Sequence, residues 1–576
     1  MASMATTLLA LTGFVAHGAT PPGDAEVDAP RRWRLYRLQS RHSAGLPALR
    51  AAGSAHDRPG RPPTMTHKGV LNAVPCAALP KLAWVASMPL SGGEVRVVHG
   101  TAVERGDRWL VEGVWDAAFS RGEFHTSEAL FGSGLRVDDG RTVAVASTGL
   151  VDRLLYFVNA GRLTVSNSLV TLLGVSGARL DLDHHYGPDC SASLRGLFGQ
   201  PYGLRVDAAS GIQFQQIYHG NLVVAGGTVS IEMRSRSRAF DSFESYVGEL
   251  RATLLRVRDN FMSTERRVPV RAYTTVSSGY DSAAVACLAR ELGVTECFTT
   301  RPDATRKGWV PLEDGAAIAD ALGLEAHLLQ PPSERTTADE QNFLAPTQWG
   351  SELIFHDMAR LICNTGGAAV VFTGYHGDKV WDVATAERYL VDDIVRGDTS
   401  GLNLSEIRLE SGFFNVAVPF LFARNIRALV DIARSPAMNP WRLGNDYDRP
   451  IPRRIVEEAG VPRGLFGHEK RVVMSYYQHP FNPELRERYF LWLDEQLGIG
   501  RLRVRASELI CDLDWKLGSI LARLGRPANS FGIAARLKRT LFRGHDPRHL
   551  MFKWSANELA ARVRDHAGPG VLGHLS

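Results

Sequence analysis

The stretch Thr274–Leu292, TTVSSGYDSAAVACLAREL, decides how the rest of the chain is read. A β-branched run ends at Val276, Ser277, Ser278 and Gly279 make a turn, and an alanine-rich helical pattern begins near Asp281 and Ser282. In a parallel sheet, ligands bind beyond the carboxyl ends of the strands. The first N–H groups of a helix have no intrahelical partner, and the helix dipole adds positive charge there, so such a turn suits a phosphate. Serine hydroxyls add donors, and Gly279 lets the backbone come close. Asp281 repels a phosphate unless a divalent cation lies between them, which points to Mg2+. Taken alone, Ser and Asp at a helix start also serve as simple caps. The turn is not a Walker A loop, because the GK[ST] ending is absent.

Working outward, strand and helix patterns alternate: RAYTTV, SAAVACLAREL, TECFTT, EDGAAIADALG, EAHLLQ, IFHDMARLICNT and AAVVFTG. That alternation implies an α/β domain with a parallel sheet. It is preceded by an amphipathic helix, SYVGELRATLLRVRDNFM, and by a polar linker at 233–242. Residues 82–235 instead carry short alternating runs such as GEVRVVHG, RWLVEGVW and GNLVVAGGTVSIEM, the mark of an antiparallel α+β domain. From about residue 400 the chain reads as mostly helical, with basic helices at 501–545. The expected division is an extension at 1–68, a first domain at 69–238, a parallel-sheet domain at 239–480 and a helical basic region at 481–576.

A second Gly-rich turn follows a buried-strand pattern in AAVVFTGYHGDKVWD, residues 368–382. Asp378 follows this turn as Asp281 follows the first, and aspartates are oxygen donors of the kind a hard cation takes.

These loops, in this order, carry a resemblance. VSSGYDS resembles the SGGxDS loop of N-type ATP pyrophosphatases, with Ser278 in place of the first Gly, and the chain is similar within that group to the asparagine synthetase superfamily. The resemblance implies that Val276, Ser277, Ser278, Gly279, Asp281 and Ser282 hold the pyrophosphate of ATP. It also implies that Gly374 lies against the nucleotide, and that Asp281 and Asp378 bind Mg2+. In the second loop His376 stands where a Gly is usual, and Lys379 replaces a Glu. The segment YDRPIPRRIVEEAGVPRGLFGHEK, 447–470, resembles the family's K-x-x-x-R…LP…K pattern. Arg454 and Lys470 match its Arg and final Lys as catalytic cations, Pro450 falls on its first Lys, and Arg449 or Arg453 are the residues at hand to replace that Lys.

The amino-terminal pieces VEGVWDAAFSRGEF and GLVDRLLYFVNAGRLTVSNSLVTLL resemble a diverged glutaminase domain of the same superfamily, with Asp152, Tyr156, Ser166 and Asn167 as echoes. Such glutaminases use an amino-terminal cysteine whose α-amino group is the base. Residue 2 is Ala, Met65 as a start leaves Thr66 first, and Cys76 lies inside the chain, so no ammonia release from glutamine is expected.

The resemblance therefore implies an ATP-dependent carbon–nitrogen ligase that adenylates a carboxylate and lets an amine attack. Relatives with a silent glutaminase domain include β-lactam synthetases and lasso peptide cyclases, and the second loop and YDRPIPRR look most like the cyclases. Macrolactam formation on a peptide, with a precursor peptide and a leader peptidase as partners, is the expectation. An ammonia-using asparagine synthetase, a tRNA-modifying relative and a non-catalytic nucleotide-binding protein are the alternatives.

Bulk properties agree with an ordinary globular chain of 576 residues, 44% hydrophobic and 22% charged. A net charge of +5 does not call for nucleic acid. Six scattered cysteines without a CxxC pair fit free thiols in a reducing, cytoplasmic setting. No apolar run reaches the ~20 residues that span a bilayer. The start, MASMATTLLALTGFVAHGAT, has an apolar stretch with no basic residue before it, a poor secretory signal. Residues 31–68 show no helical or strand period. Residues 1–68 read as a disordered extension or an over-long gene start, with Met65 a candidate true start and a targeting peptide as the alternative.

Overall fold

The run Ala368–Thr373 is buried at every residue, as a strand covered on both faces must be. It lies second from one edge of a five-stranded sheet whose order is Glu325–Leu329, Glu296–Thr300, Val270–Thr275, Ala368–Thr373, Phe413–Ala417. All four pairings are parallel. This computed structural model describes residues 69–576 except 150–151, 235–237, 301–314, 345–351, 392, 395–398, 469–477, 524–536, 538 and 576. The extension expected at 1–68 lies outside the described residues.

The class is mixed α/β, as the alternating patterns imply. Phe413–Ala417 is a correction: it falls where the chain was read as mostly helical, yet it is an edge strand of the parallel sheet. Its run FFNVA is buried throughout, so it carries no alternation to announce a strand.

Residues 69–233 form two further sheets. One has seven strands in the order Val70–Pro75, Glu94–His99, Trp84–Pro89, Arg162–Ser166, Leu154–Asn159, Phe214–Ile217, Tyr202–Leu204. The other has six, Thr228–Met233, Gly220–Ala225, Arg141–Val145, Leu130–Asp138, Trp109–Trp115, Glu104–Arg105. Trp84, Val97, Leu154 and Leu163 of the first share one apolar cluster with Leu110, Leu135, Ala144 and Leu222 of the second, so the sheets are stacked face to face. The expected antiparallel pairing holds except at Val70–Pro75, which runs parallel to Glu94–His99.

Helix Phe243–Phe261 begins at Ser242, whose hydroxyl accepts from the Ser245 amide while the Ser245 hydroxyl accepts in return. Tyr246, Val247, Leu250, Leu254, Val257 and Phe261 form its buried stripe at helical spacing. By backbone contacts, the described residues form one compact unit. Within it the long carboxyl-terminal helix Pro547–Leu575, broken at Gly568, lies on helix Leu169–Ser176. The Leu180 amide donates to Asn557 Oδ1 at 2.7 Å. The last part of the 481–576 region is thus packed on residues of the first domain. No helix among the described residues is long and apolar enough to cross a membrane.

Candidate active site

Strand Val270–Thr275 delivers the first loop. The Val276 amide still donates to Phe298 O of the neighbouring strand at 2.9 Å, and the chain then leaves the sheet. The Ser277 and Ser282 hydroxyls meet at 2.7 Å, and the Ser277 amide donates to Ser282 Oγ at 3.1 Å. The Gly279 amide donates to Ser277 Oγ at 3.3 Å. These bonds close the turn on itself, and helix Tyr280–Glu291 starts with Gly279 as its cap, slightly earlier than the sequence pattern suggests. Ser278 O accepts from the Gly467 amide at 2.8 Å, which ties the loop to the 447–468 segment.

The second loop arrives from the adjacent parallel strand. A Cβ on Gly374 would stand 2.6 Å from the Ser282 nitrogen, and one on Gly377 would stand 2.2 Å from Asp281 Cγ. Gly374 faces backbone, so only glycine fits there, while Gly377 faces the Asp281 side chain, so the two loops touch at Asp281–Ser282. His376, in the place of a usual Gly, has φ +70°, the left-handed region that glycine occupies freely. Its ring packs edge-on against Phe420, 5.2 Å between centroids. The loop is anchored beyond by Trp381, fully buried, whose indole N–H donates to Tyr246 Oη at 2.9 Å. Lys379 lies over the Tyr389 ring, 5.4 Å from its centre.

The third component is Arg449. Helix Pro450–Glu458 packs on helix Tyr280–Glu291, which brings its first turn to the loop. The Arg449 guanidinium is 2% exposed and forms an ion pair with Asp281. Its Nε lies 3.5 Å from Asp382 Oδ2. Burial works against the charge on Arg449, but Asp281, Tyr447 and Asp378 more than offset it and hold its pKa above the ordinary arginine value. The Tyr280 and Tyr447 rings meet at 4.8 Å, tilted by 50°, and Arg453 Nη1 donates to Tyr280 Oη at 3.4 Å.

Val276, Ser277, Ser278, Gly279, Asp281, Ser282, Gly374 and Asp378 therefore lie on two loops in contact at adjacent strand ends. Arg454 does not join them. Its guanidinium lies over Phe243 and Trp441, at 3.9 and 4.4 Å, and pairs with Glu244 and Glu458, each at 2.7 Å. It fastens its helix to helix Phe243–Phe261. Lys470 lies outside the described residues.

Among the described residues, no three His, Cys, Asp or Glu side chains converge as a ready-made metal site. The donors nevertheless fit a hard cation whose shell is completed by a ligand. Asp281 and Asp382 already flank one positive group, Asp378 follows the Gly377 that touches Asp281, and all three offer oxygen.

A second polar cluster lies between the stacked sheets and the parallel-sheet region. Arg408, on helix Leu404–Ser411, makes a forked pair with Glu112 at 2.8 and 3.1 Å and a further pair with Asp152. Asn167 donates to Glu112 Oε1 at 3.1 Å and to Leu82 O at 3.0 Å, and accepts from the Trp84 amide at 2.9 Å. Ser166 donates to Trp84 O at 2.7 Å. Asp152, Ser166 and Asn167 thus sit in or beside one buried network with Glu112 and Arg408, while Tyr156 is buried in the apolar layer between the sheets. Neither Glu112 nor Arg408 lies in a sequence pattern that would single it out. Cys76 follows strand Val70–Pro75, and its nitrogen is a peptide amide bonded to His99 O at 2.8 Å. Trimming the chain to free that nitrogen would remove a strand of the seven-stranded sheet.

No protein-family model matches the chain, and no curated protein matches it. Among solved structures, one similar to it is described as the allosteric regulatory enzyme of purine biosynthesis, at 10% identity over 59% of this chain and 75% of that one, with a TM-score of 0.16. At that score the likeness carries no argument about fold or function.

Proposed function

We propose that the protein is an ATP-dependent carbon–nitrogen ligase of the asparagine synthetase type, with an amino-terminal glutaminase-like half that releases no ammonia. The observation that carries this reading is the contact of the 276–282 and 374–378 loops at neighbouring parallel strand ends, with Asp281 over Gly377 and Arg449 beside them. A phosphate chain at the start of helix Tyr280–Glu291 meets N–H donors, the Ser277 and Ser282 hydroxyls and the positive end of the helix dipole. Asp281 and Asp378 would hold Mg2+, which supplies charge neutralisation at the phosphates.

The reaction this arrangement suits has two steps. A substrate carboxylate oxygen attacks the α-phosphorus of ATP, and pyrophosphate leaves. An amine then attacks the acyl carbon of the adenylate, AMP leaves, and the amine loses a proton. Arg449 stands where negative charge must be balanced during the first step. Lys470, matched by resemblance, is proposed for the same duty in the second.

Cys76 is an internal, buried residue without a free α-amine, which speaks against ammonia released from glutamine, and Lys379 in place of the usual Glu speaks against free ammonia with aspartate. Macrolactam formation on a peptide, an amine closing onto an Asp or Glu side chain, is the substrate class we favour. Incubation with ATP, Mg2+ and candidate precursor peptides should release pyrophosphate and give a product lighter by one water. Asp281→Ala should cut pyrophosphate release by about 100-fold or more. Unchanged release from that variant would end this reading of the site.

A further inference from the structure

We infer that Arg449 is a built-in counter-ion that stands in for the divalent cation beside Asp281, and so makes cation binding depend on nucleotide. The inference rests on the nucleotide reading of the preceding subsection and assigns the residue that regulates that site.

Arg449 is held where it is from both sides. The preceding residue, Asp448, accepts from the Leu443 and Gly444 amides at 3.0 and 3.1 Å, and the following Pro450 opens a helix with its φ already fixed. The guanidinium lies over the Tyr447 ring at 4.9 Å. Its place between Asp281 and Asp382 is therefore preorganised rather than the chance resting point of a long side chain.

A divalent cation arriving alone meets an aspartate already paired. Binding there puts two positive groups side by side next to a guanidinium that is 2% exposed, where solvent and salt screen little. A cation arriving with a triphosphate brings its own negative charge. The guanidinium can then exchange the Asp281 carboxylate for phosphate oxygens, which its planar fork also fits, while Asp382 remains a second tether. Cation and nucleotide should accordingly bind as one cooperative event, with Arg449 carrying the coupling. A triphosphate chelates divalent cations by itself, so the part of the cooperativity assigned to Arg449 is the part lost when its charge is removed.

Mn2+, an oxygen-seeking stand-in for Mg2+, can be titrated by electron paramagnetic resonance, reading the loss of the free-ion signal beyond that of a protein-free blank with the same analogue, which itself chelates Mn2+. For the full chain without nucleotide we expect weak uptake, strengthened about tenfold or more by a non-hydrolysable ATP analogue. Arg449→Met should bind Mn2+ alone about tenfold more tightly than the native protein, with the effect of the analogue reduced by the same factor. Asp281→Ala, the control, should lose this uptake in both conditions. If the native protein takes up Mn2+ equally with and without the analogue, or if Arg449→Met leaves nucleotide-free uptake unchanged, the counter-ion role is refuted while the nucleotide site stands. If calorimetry shows that the analogue itself does not bind the native protein, the site reading fails and this inference fails with it. Should Arg449→Met not fold, Arg449→Gln, which also removes the charge, is titrated in its place, and nucleotide-free uptake equal to that of the native protein refutes the role.

Discussion

Arg408 and Arg449 are both buried guanidiniums held by two carboxylates, yet their surroundings differ. Arg408 is 1% exposed, and its partners Glu112 and Asp152 are 0% and 6% exposed. Glu112 also accepts from Ser133 at 2.7 Å and from Asn167. Arg449 is as buried, at 2%, but Asp281 and Asp382 keep 19% and 17% of their surface. The first cluster is closed: its charges are paired, hydrogen-bonded and shut away between two halves of the fold. The second opens at the strand ends, where a ligand can reach the carboxylates. Burial of an arginine does not separate structure from function; exposure of its partners does.

The largest expected effect breaks the closed cluster. Arg408→Met leaves Glu112 and Asp152 buried without their cation and should cost about 3–5 kcal/mol of stability, read as a shift in the urea midpoint. Arg449→Met should cost less, about 1–3 kcal/mol by the same measurement, because Asp281 and Asp382 keep part of their surface in water. Equal losses would erase the distinction.

Next comes Gly377→Ala. The added methyl must displace Asp281, since its Cβ would stand 2.2 Å from Asp281 Cγ. A stability loss of about 1–3 kcal/mol is expected from overpacking, with MgATP binding weakened about tenfold or more in calorimetry. Binding at the native affinity would mean that Asp281 is not needed where it stands.

A smaller effect is pH-dependent and belongs to the amino-terminal half. Burial, with Arg234 nearby, pulls the His219 pKa down to about 3. The folded value lies below the unfolded one near 6.5, so this contribution is full above about pH 6.5 and is lost as pH falls toward 3. Stability should drop by about 1–2 kcal/mol between pH 7 and pH 5. His219→Gln should flatten that dependence in matched urea titrations; an unaltered slope would assign it to other groups.

The smallest effect sharpens the picture of the second loop. His376→Gly relieves a left-handed backbone but removes the ring from Phe420. These terms oppose each other, and the net change should stay within about 1 kcal/mol, with nucleotide affinity unaltered. A large loss of affinity would make the imidazole part of the site.

The two loops were legible because their chemistry is local. Hydroxyls, glycines and an acid within a few residues of a strand end state what the turn can hold, and the alternating patterns state that the strands are parallel. The third component was legible only in part, since the sequence left Arg449 and Arg453 open as replacements for the missing Lys. Arg449, Arg453 and Arg454 lie within six residues of one another, and the motif match favoured Arg454. Helix packing instead turns Arg449 to Asp281, Arg453 to Glu457 and Tyr280, and Arg454 to Glu244. Arg408 and Glu112, 296 residues apart, left no signal, since each looks like an ordinary surface charge until its partner arrives.

Residue order alone settled the strand-to-helix turns, the alternation that makes a parallel sheet, and the placing of Asp281 and Asp378 just past strand ends. Those features follow from backbone sterics and short-range hydrogen bonding, which act over a few residues. Which arginine faces the aspartates, how closely Gly377 lets the loops meet, and that Arg408 joins the two halves were settled by the packing of distant elements. Charge pairing and close contact depend on separation in space, and for residues so far apart along the chain only the folded arrangement sets that separation.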